Sequence, residues 1–260
     1  MLFRSRSSLI PPRYQPAEVL AHLRGEDSAR DWPGADWPVY QNYVDAIRYG
    51  QVDRYLANSF IYAVLITAAQ LFFNVLAAYA FARMHFAGRD FLFALLLSTM
   101  MVPPAVLLVP NFMVVRDLGL VDTLWGILLP GFASAFGVFL LRQAFLNIPA
   151  ELEQAARIDG CGSWGILLNV ILPLSKPALI TLGLFTFMGS WNMFEWPLVV
   201  LSNQDYYPLT VGLSFFRAET SSDWPRIFAA SAMGAAPLIA LFLLAQRYLV
   251  GGISLSGMKT

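Results

Sequence analysis

Five long apolar stretches alternate with polar segments along this chain, and each is long enough to cross a membrane. A bilayer core of about 30 Å requires roughly 20 apolar residues in a helix. Unpaired backbone groups are costly in lipid, so such stretches are expected to be helical. The predicted spans are approximately Leu56–Ala82, Phe91–Val115, Leu124–Phe145, Pro177–Leu201 and Ile227–Val250. The pattern therefore predicts an all-α integral membrane protein with five transmembrane helices.

Prolines inside these apolar runs predict kinks or local breaks rather than span boundaries, because neighbouring helices can satisfy the carbonyls that a proline leaves free. These prolines are Pro103, Pro104, Pro110, Pro130 and Pro237.

The first 55 residues have a different composition. They hold seven arginines and seven acidic residues, with several prolines, and predict a polar, loop-rich, non-membrane segment with a short helix near Ala17–Leu23. We therefore divide the chain into this segment (1–55), a transmembrane domain (56–251) and a C-terminal tail (252–260).

The composition supports a membrane protein and excludes several other classes. Hydrophobic residues make up 57% and charged residues 13% of the chain, whereas a soluble domain has about a quarter charged residues. The formal net charge is zero, which gives no indication of a nucleic-acid partner. A single cysteine, Cys161, excludes a disulfide framework within the chain and supplies no metal-ligand set. The N-terminus lacks the apolar core of a signal peptide.

The basic residues of the short loops predict the orientation, since cytoplasmic loops carry more Lys and Arg. The richer side would hold Arg83, Arg89, Arg142, Arg157, Lys176, Arg247 and Lys259, and the other side Arg116, Arg217 and Arg226. We therefore expect residues 146–173 and the C-terminus to face the cytoplasm, and the loop 203–225 to face outward. The N-terminal segment would then also lie outside.

A polar segment between the third and fourth spans predicts two short helices. Pro149 suits a helix start, acidic residues occupy the first turn, and Gly160 can end the helix. A second helix would follow from about Ser163 to Leu172. Residues Leu152, Ala155, Ala156 and Asp159 would share one face. That face could be a docking surface for a partner, or it could lie on lipid as an interfacial amphipathic helix.

The same segment resembles a known family. Glu-Gln-Ala-Ala-x-x-Asp-Gly at 153–160, followed eleven residues after the glycine by Ile-Leu-Pro, is similar to the EAA loop of ABC importer permeases. The similarity is to the second permease of the maltose and glycerol-3-phosphate class, and it covers residues 42 to 260. Further matching residues are Asn58-Ser59, 76–83, 86–89, Pro103, Pro110, Trp191-Asn192, Trp196-Pro197-Leu198 and Gln246-Arg247.

Two features depart from that family. The glutamate that usually precedes the two alanines is Gln154 here, with Glu153 one position earlier, so position 154 cannot form a salt bridge. The family usually has six spans, and we expect five here, with the first one absent.

The resemblance implies that this loop is a coupling helix seated on a separate ATPase subunit. The implied coupling residues are Glu151, Glu153, Gln154, Ala155, Ala156, Asp159, Gly160, Ile171, Leu172 and Pro173. It also implies a second homologous permease, a dimer of ATPase subunits, an extracytoplasmic solute-binding protein and a place in the bacterial or archaeal inner membrane. ATP and Mg would bind to the ATPase, so this chain would have no catalytic residue, metal or cofactor. Residues 257–260 lack the order of a phosphate-binding loop.

Polar and aromatic residues in or near the spans are candidates for the substrate path, because an ionisable residue in a span is a functional hypothesis by default. The candidates are Asn58, Asn74, Trp191, Asn192, Glu195 and Trp196. The alternative for the amides is an interhelical hydrogen bond, and for the aromatic residues an interfacial position.

Three functions stay open from the sequence. The first is import of a sugar or sugar derivative, and the second is import of another polar solute such as a glycerol phosphate. The third is an ion-coupled carrier, which would need acidic or histidine residues deep in its spans. A permease remnant that has only a structural role is a further possibility.

Overall fold

The computed structural model describes residues 39–219 and 224–253, and within these ranges the chain forms helices and connecting turns without strands. The first helices are α1 (Val39–Gly50), α2 (Val52–Arg83), α3 (Arg89–Ser98), α4 (Pro104–Asp117), α5 (Leu124–Leu128) and α6 (Ala135–Leu146). They are followed by α7 (Ala150–Ile158), α8 (Ser163–Leu174, with a π-helical turn at Leu167–Ile171), α9 (Lys176–Trp191), α10 (Glu195–Val200), α11 (Leu209–Glu219) and α12 (Trp224–Ile253).

The helices overlap all five predicted spans, although the helix of the fourth span ends at Trp191. Two helices, Val52–Arg83 and Trp224–Leu243, are long and apolar enough to cross a membrane by themselves. Three bent pairs of helices raise the number to as many as five by length and composition. These pairs are Arg89–Met101 with Pro104–Asp117, Leu124–Gly131 with Ala135–Leu146, and Ser163–Leu174 with Lys176–Trp191. The prediction of an all-α membrane fold is confirmed.

The second predicted span, Phe91–Val115, is bent much more sharply than a proline kink. Its two halves meet at an angle of 105° around Val102 and Pro103. Neither Pro103 nor Pro104 has an amide hydrogen, and the chain at Pro103 is extended with ψ of 133°. The helix therefore ends and restarts at this point, with Pro104 as the first residue of α4.

The fourth predicted span, Pro177–Leu201, is wrong as a continuous helix. Helix α9 ends at Trp191, and α10 begins at Glu195. Pro197 lacks the amide that would donate to the carbonyl of Met193 four residues earlier. The Thr210 hydroxyl from α11 donates to that Met193 oxygen instead, at 2.5 Å. A side chain from another helix thus satisfies the carbonyl that the broken helix leaves without a donor.

The break in the third span is held by polar side chains of α2. Asn74 is completely buried, and its amide oxygen accepts from the Ser134 backbone N–H at 3.1 Å, just before α6. One turn earlier, Gln70 donates to the carbonyl of Gly131 at 2.8 Å and accepts from Thr186 of α9 at 3.0 Å. These bonds satisfy backbone groups that the break exposes in the membrane.

Helix α2 is the central element, and it packs against α6, α9 and α11. Two separate clusters of buried apolar residues lie along it. The first cluster includes Tyr62, Ile127, Val200 and Val211. The second includes Phe145, Ile166, Ile171 and Leu182. Each cluster occupies one end of the helical bundle.

The segment before the first span contains more helix than the sequence indicates. Helix α1 packs against α12, and Asp45 forms an ion pair with Arg226 at 3.1 Å. Helix α2 begins at Val52, four residues before the predicted start of the span at Leu56. The short helix predicted near Ala17–Leu23 and residues 254–260 of the tail lie outside the described residues.

Candidate functional site

The predicted pair of short helices after α6 is present. Pro149 immediately precedes α7, and two acidic residues lie in its first turn. Gly160 follows α7 with φ of +86°, a left-handed conformation that an L side chain rarely adopts. The Cys161 amide donates back to the Ala156 carbonyl at 2.9 Å and closes the end of the helix. Helix α8 then extends to Leu174, two residues beyond the predicted end.

The exposed face of α7 is not the one predicted. Ala156 is buried, whereas Leu152, Ala155 and Asp159 are exposed, so the four residues do not act as one face. Ile158 is the most exposed large apolar residue of the helix, at 87%. Trp164 at the start of α8 adds a second large exposed apolar side chain. Leu152 and Ile158 on α7 and Trp164 at the start of α8 are thus the large apolar side chains exposed on and between these two helices.

Glu153 is turned into the protein, because Arg83 lies beneath it. The carboxylate is 2.7 Å from the Arg83 guanidinium, and the two side chains are 9% and 13% exposed. The same guanidinium donates to the carbonyls of Phe145 and Ile148, each at 2.6 Å. Glu153 is thus not available at the surface where it was expected to act.

The remaining predicted coupling residues divide between surface and core. Glu151, Gln154, Ala155, Asp159, Gly160 and Pro173 are exposed, Leu172 is half-buried, and Ile171 is fully buried. Ile171 anchors α8 in the second apolar cluster. The Tyr79 hydroxyl of α2 donates to the Ser163 carbonyl at 3.2 Å and fixes the other end of α8. The segment formed by α7 and α8 (residues 150–174) therefore has one exposed side, and its other side packs against the core and bonds to α2.

Four of the six candidates for the substrate path bond to other helices or loops of the chain. Asn58 donates to the carbonyls of Asp205 and Tyr207 at 2.8 and 3.0 Å. Trp191 is buried and donates to Gly234 at 3.2 Å. Trp196 donates to Gly126 at 3.1 Å. Together with Asn74, these residues hold helices or loops in place.

The other two candidates lie together at the break between α9 and α10. Asn192 follows the last residue of α9, and Glu195 begins α10. Both are exposed on this subunit, and Phe194 between them is 40% exposed. The Asn192 amide donates to the Met188 carbonyl at 2.8 Å. An amide, a carboxylate and an aromatic ring thus lie within four residues of one another at this helix break.

Several residues that join distant parts of the structure could not be found from local sequence patterns. Arg83 was used only to predict topology and as part of the family match at 76–83, although it joins three elements of the structure. Thr210 and Thr186 act on partners 17 and 116 residues away. The described residues contain no group of three or more His, Cys, Asp or Glu side chains that could hold a metal ion.

Comparison with known proteins gives a consistent result. Residues 70–252 match the family described as the inner membrane component of binding-protein-dependent transport systems. The chain is 36% identical to the probable ABC transporter permease protein YurM of Bacillus subtilis, over 84% of this chain and 73% of the relative. It is 36% identical to the arabinooligosaccharides transport permease AraQ of Halalkalibacterium halodurans, over 79% and 74%. It is 34% identical to the sn-glycerol-3-phosphate transport permease UgpE of Brucella abortus, over 83% and 79%.

Solved structures agree with this result. One chain of a bacterial ABC transporter involved in the import of the acidic polysaccharide alginate superposes with a TM-score of 0.71. The two chains are 30% identical, and the match covers 80% of this chain and 78% of the other. The bent spans and the exposed loop at 150–174 are consistent with this sequence match. The chain belongs to the family of inner membrane components of binding-protein-dependent transport systems, as a permease subunit of an ABC importer.

Proposed function

We propose that this permease imports a sugar or sugar derivative delivered by a soluble binding protein, in a complex with a second permease and a dimer of ATPase subunits. The observation that carries the proposal is the exposed apolar surface of Leu152, Ile158 and Trp164 on two short helices attached to α2. Exposed apolar groups that form a patch mark protein or membrane interaction sites, and we assign these to a protein partner because the loop that carries them is polar. Nucleotide and Mg would bind to the ATPase, and this surface would contact it from the cytoplasmic side.

The surface can be tested directly in the assembled transporter. Ile158→Glu places a charge at the centre of the proposed interface, and we expect the ATPase to be lost when the permease is purified in detergent. Leu118→Glu is the matched control, because Leu118 is also an exposed aliphatic residue but follows α4 at another part of the chain. Retention of the ATPase by Ile158→Glu would contradict the proposed interface.

The break between α9 and α10 is the proposed contribution of this subunit to the substrate path. Amide groups donate and accept hydrogen bonds, carboxylates accept them from hydroxyl groups, and an exposed aromatic ring offers a face to a sugar ring. Asn192, Phe194 and Glu195 provide these three chemistries within four residues. The exposed carboxylate would repel a phosphate, which favours a neutral sugar over a glycerol phosphate at this point.

Uptake assays can separate this role from a structural one. We expect Asn192→Ala with Glu195→Gln to reduce sugar uptake by the assembled transporter while the ATPase remains bound. Gln246→Ala is a suitable control, because the Gln246 side chain is an exposed amide that bonds only within α12 in the described part of the chain. Unchanged uptake in the double variant would assign the substrate contacts to the partner permease.

An ion-coupled carrier is less compatible with this arrangement. Such carriers place titratable groups inside the bundle, whereas Glu195 is exposed at a helix break. Uptake that persists in vesicles without ATP would favour the carrier.

A further inference from the structure

Three separate elements converge on the Arg83 side chain. Arg83 is the last residue of α2, and its guanidinium donates to the carbonyls of Phe145 and Ile148 at the end of α6 and in the turn that follows. Glu153 approaches from α7 at 2.7 Å. The Arg83 side chain, at the end of α2, therefore contacts both the end of α6 and the loop helix α7.

Burial makes this ion pair different from the surface pairs of the molecule. The side chains of Arg83 and Glu153 are 13% and 9% exposed, whereas Asp90 in the Arg89–Asp90 pair is 80% exposed. A charge removed from water is tolerated when an opposite charge and hydrogen-bond acceptors surround it. Arg83 has both, because the carbonyls at the C-terminal end of α6 also carry the negative end of the helix dipole. Removal of Glu153 would leave a buried guanidinium without its counter-charge.

A second arginine also joins α2 and α6, but in this case the arginine belongs to α6 and the accepting carbonyl to α2. Arg142 of α6 donates to the Phe81 carbonyl of α2 at 3.3 Å, and its guanidinium lies 4.1 Å from the centre of the Phe93 ring. The α2–α6 contact thus has a support that does not involve Arg83. What Arg83 adds is the link from these two helices to α7 through Glu153.

We propose that Arg83 and Glu153 are positioning residues that make the ends of α2, α6 and α7 move as one rigid body. This inference rests on the proposed function, in which the ATPase moves α7 and α8. Displacement of α7 would then be transmitted to α2 through the ion pair instead of being absorbed in the turn at 147–149. It follows that Glu153 acts inside the permease and is not itself a contact of the ATPase.

Helix α2 is long enough to connect the Arg83–Glu153 ion pair to the opposite end of the bundle. With 32 residues, the helix is about 48 Å long at 1.5 Å per residue. At its other end, Asn58 and Tyr62 bond the carbonyls of Asp205, Tyr206 and Tyr207, and Arg54 pairs with Asp205. A movement of the Arg83 end is therefore connected to the loop at 202–208 on the opposite side of the bundle.

The decisive experiment measures solute uptake per ATP hydrolysed by the complete transporter in vesicles. Glu153→Gln preserves the size of the side chain and removes its charge. We expect the ATPase to remain bound and ATP hydrolysis to continue, while uptake per ATP falls several-fold, because α7 loses the charge that links it to Arg83. Asp90→Asn is the control: it breaks an exposed ion pair of a neighbouring arginine, and uptake per ATP should not change.

Two further variants distinguish a mechanical link from a simple need for opposite charges. In Arg83→Met with Glu153→Leu, apolar side chains replace the pair, which commonly preserves folding. This variant should assemble but lose coupling. In Arg83→Glu with Glu153→Arg, the charges are exchanged, but the carboxylate introduced at the end of α2 would face the Phe145 and Ile148 carbonyls, which it cannot donate to. The exchange should therefore fail to restore uptake per ATP.

The possible results separate this inference from the proposed function. Normal uptake per ATP in Glu153→Gln would overturn the inference, and so would recovery of coupling in the charge-exchanged variant. Loss of the ATPase from both Glu153→Gln and the apolar double variant would also overturn it, since Glu153 would then be a direct contact. The proposed function itself is tested by Ile158→Glu, which does not involve the ion pair.

Discussion

The strongest test of the described fold is the replacement of Asn74 by alanine. Asn74 is completely buried in α2, and its oxygen accepts from the Ser134 amide at 3.1 Å, with a weaker contact from its Nδ2 to the Ser134 hydroxyl at 3.4 Å. The amide also fits tightly against α6, because a Cβ on Gly137 would lie 2.1 Å from Asn74 Nδ2. The truncation therefore removes a hydrogen bond and also leaves a gap between α2 and α6.

The expected loss follows from these two contributions. An unsatisfied buried polar group costs about 1–3 kcal/mol, whereas side-chain hydrogen bonds between membrane helices average only about 0.6 kcal/mol. The Ser134 amide lies at a break in the span, where the helix cannot offer another acceptor within its own turn. We therefore expect Asn74→Ala to lower the free energy of unfolding by about 1–2 kcal/mol, between these two limits.

The assay is unfolding of the purified chain in mixed micelles by increasing fractions of a denaturing detergent, followed by circular dichroism. Asn169→Ala is the matched control, because Asn169 is an exposed asparagine on α8. Equal stability of the two variants would refute the assignment of Asn74 as the side chain that supports the break in this span.

Three further substitutions test close packing and backbone geometry. Gly212→Ala would place a Cβ 2.2 Å from the Tyr55 ring, so thermal unfolding should show a loss of about 1–3 kcal/mol; Gly189→Ala, which meets no atom within 4 Å, should cost much less. Gly160→Ala has free space but requires positive φ, so it should cost about 1–2 kcal/mol. Gly162→Ala, at φ of −75°, should cost less in the same melting experiment, because only the N-cap preference for glycine over alanine is lost. Thr210→Val removes the donor to the Met193 carbonyl and should cost about 1 kcal/mol in detergent unfolding; a loss equal to that of Thr181→Val, whose hydroxyl bonds only within α9, would count against that role.

The sequence was sufficient for the parts of the fold that depend on local composition. Apolar length predicts spans because a bilayer imposes that length on any helix, and α2 and α12 lie where the apolar runs are. Pro149 and Gly160 predicted the limits of α7 because proline and glycine act on their own backbone.

Contacts between residues far apart in the sequence could not be predicted from local sequence patterns. The inward position of Glu153 depends on Arg83, which is 70 residues earlier and whose bonding is determined by the fold. The break after Trp191 comes before Pro197 is reached, and the Met193 carbonyl within it is satisfied by Thr210, 17 residues away. Asn58, Asn74, Trp191 and Trp196 matched the composition of a sugar site, yet their partners are backbone atoms of other helices or loops.

The separation of the two apolar clusters limits how the halves of this protein can influence each other. Helices α2 and α9 contribute buried residues to both clusters, through Tyr62 and Tyr79 in α2 and through Leu182 and Trp191 in α9. Between the clusters, Gln70 and Thr186 join these two helices by a hydrogen bond. A change of packing in one cluster therefore reaches the other cluster through α2 and α9. The other side chains of each cluster can rearrange independently of those in the other cluster.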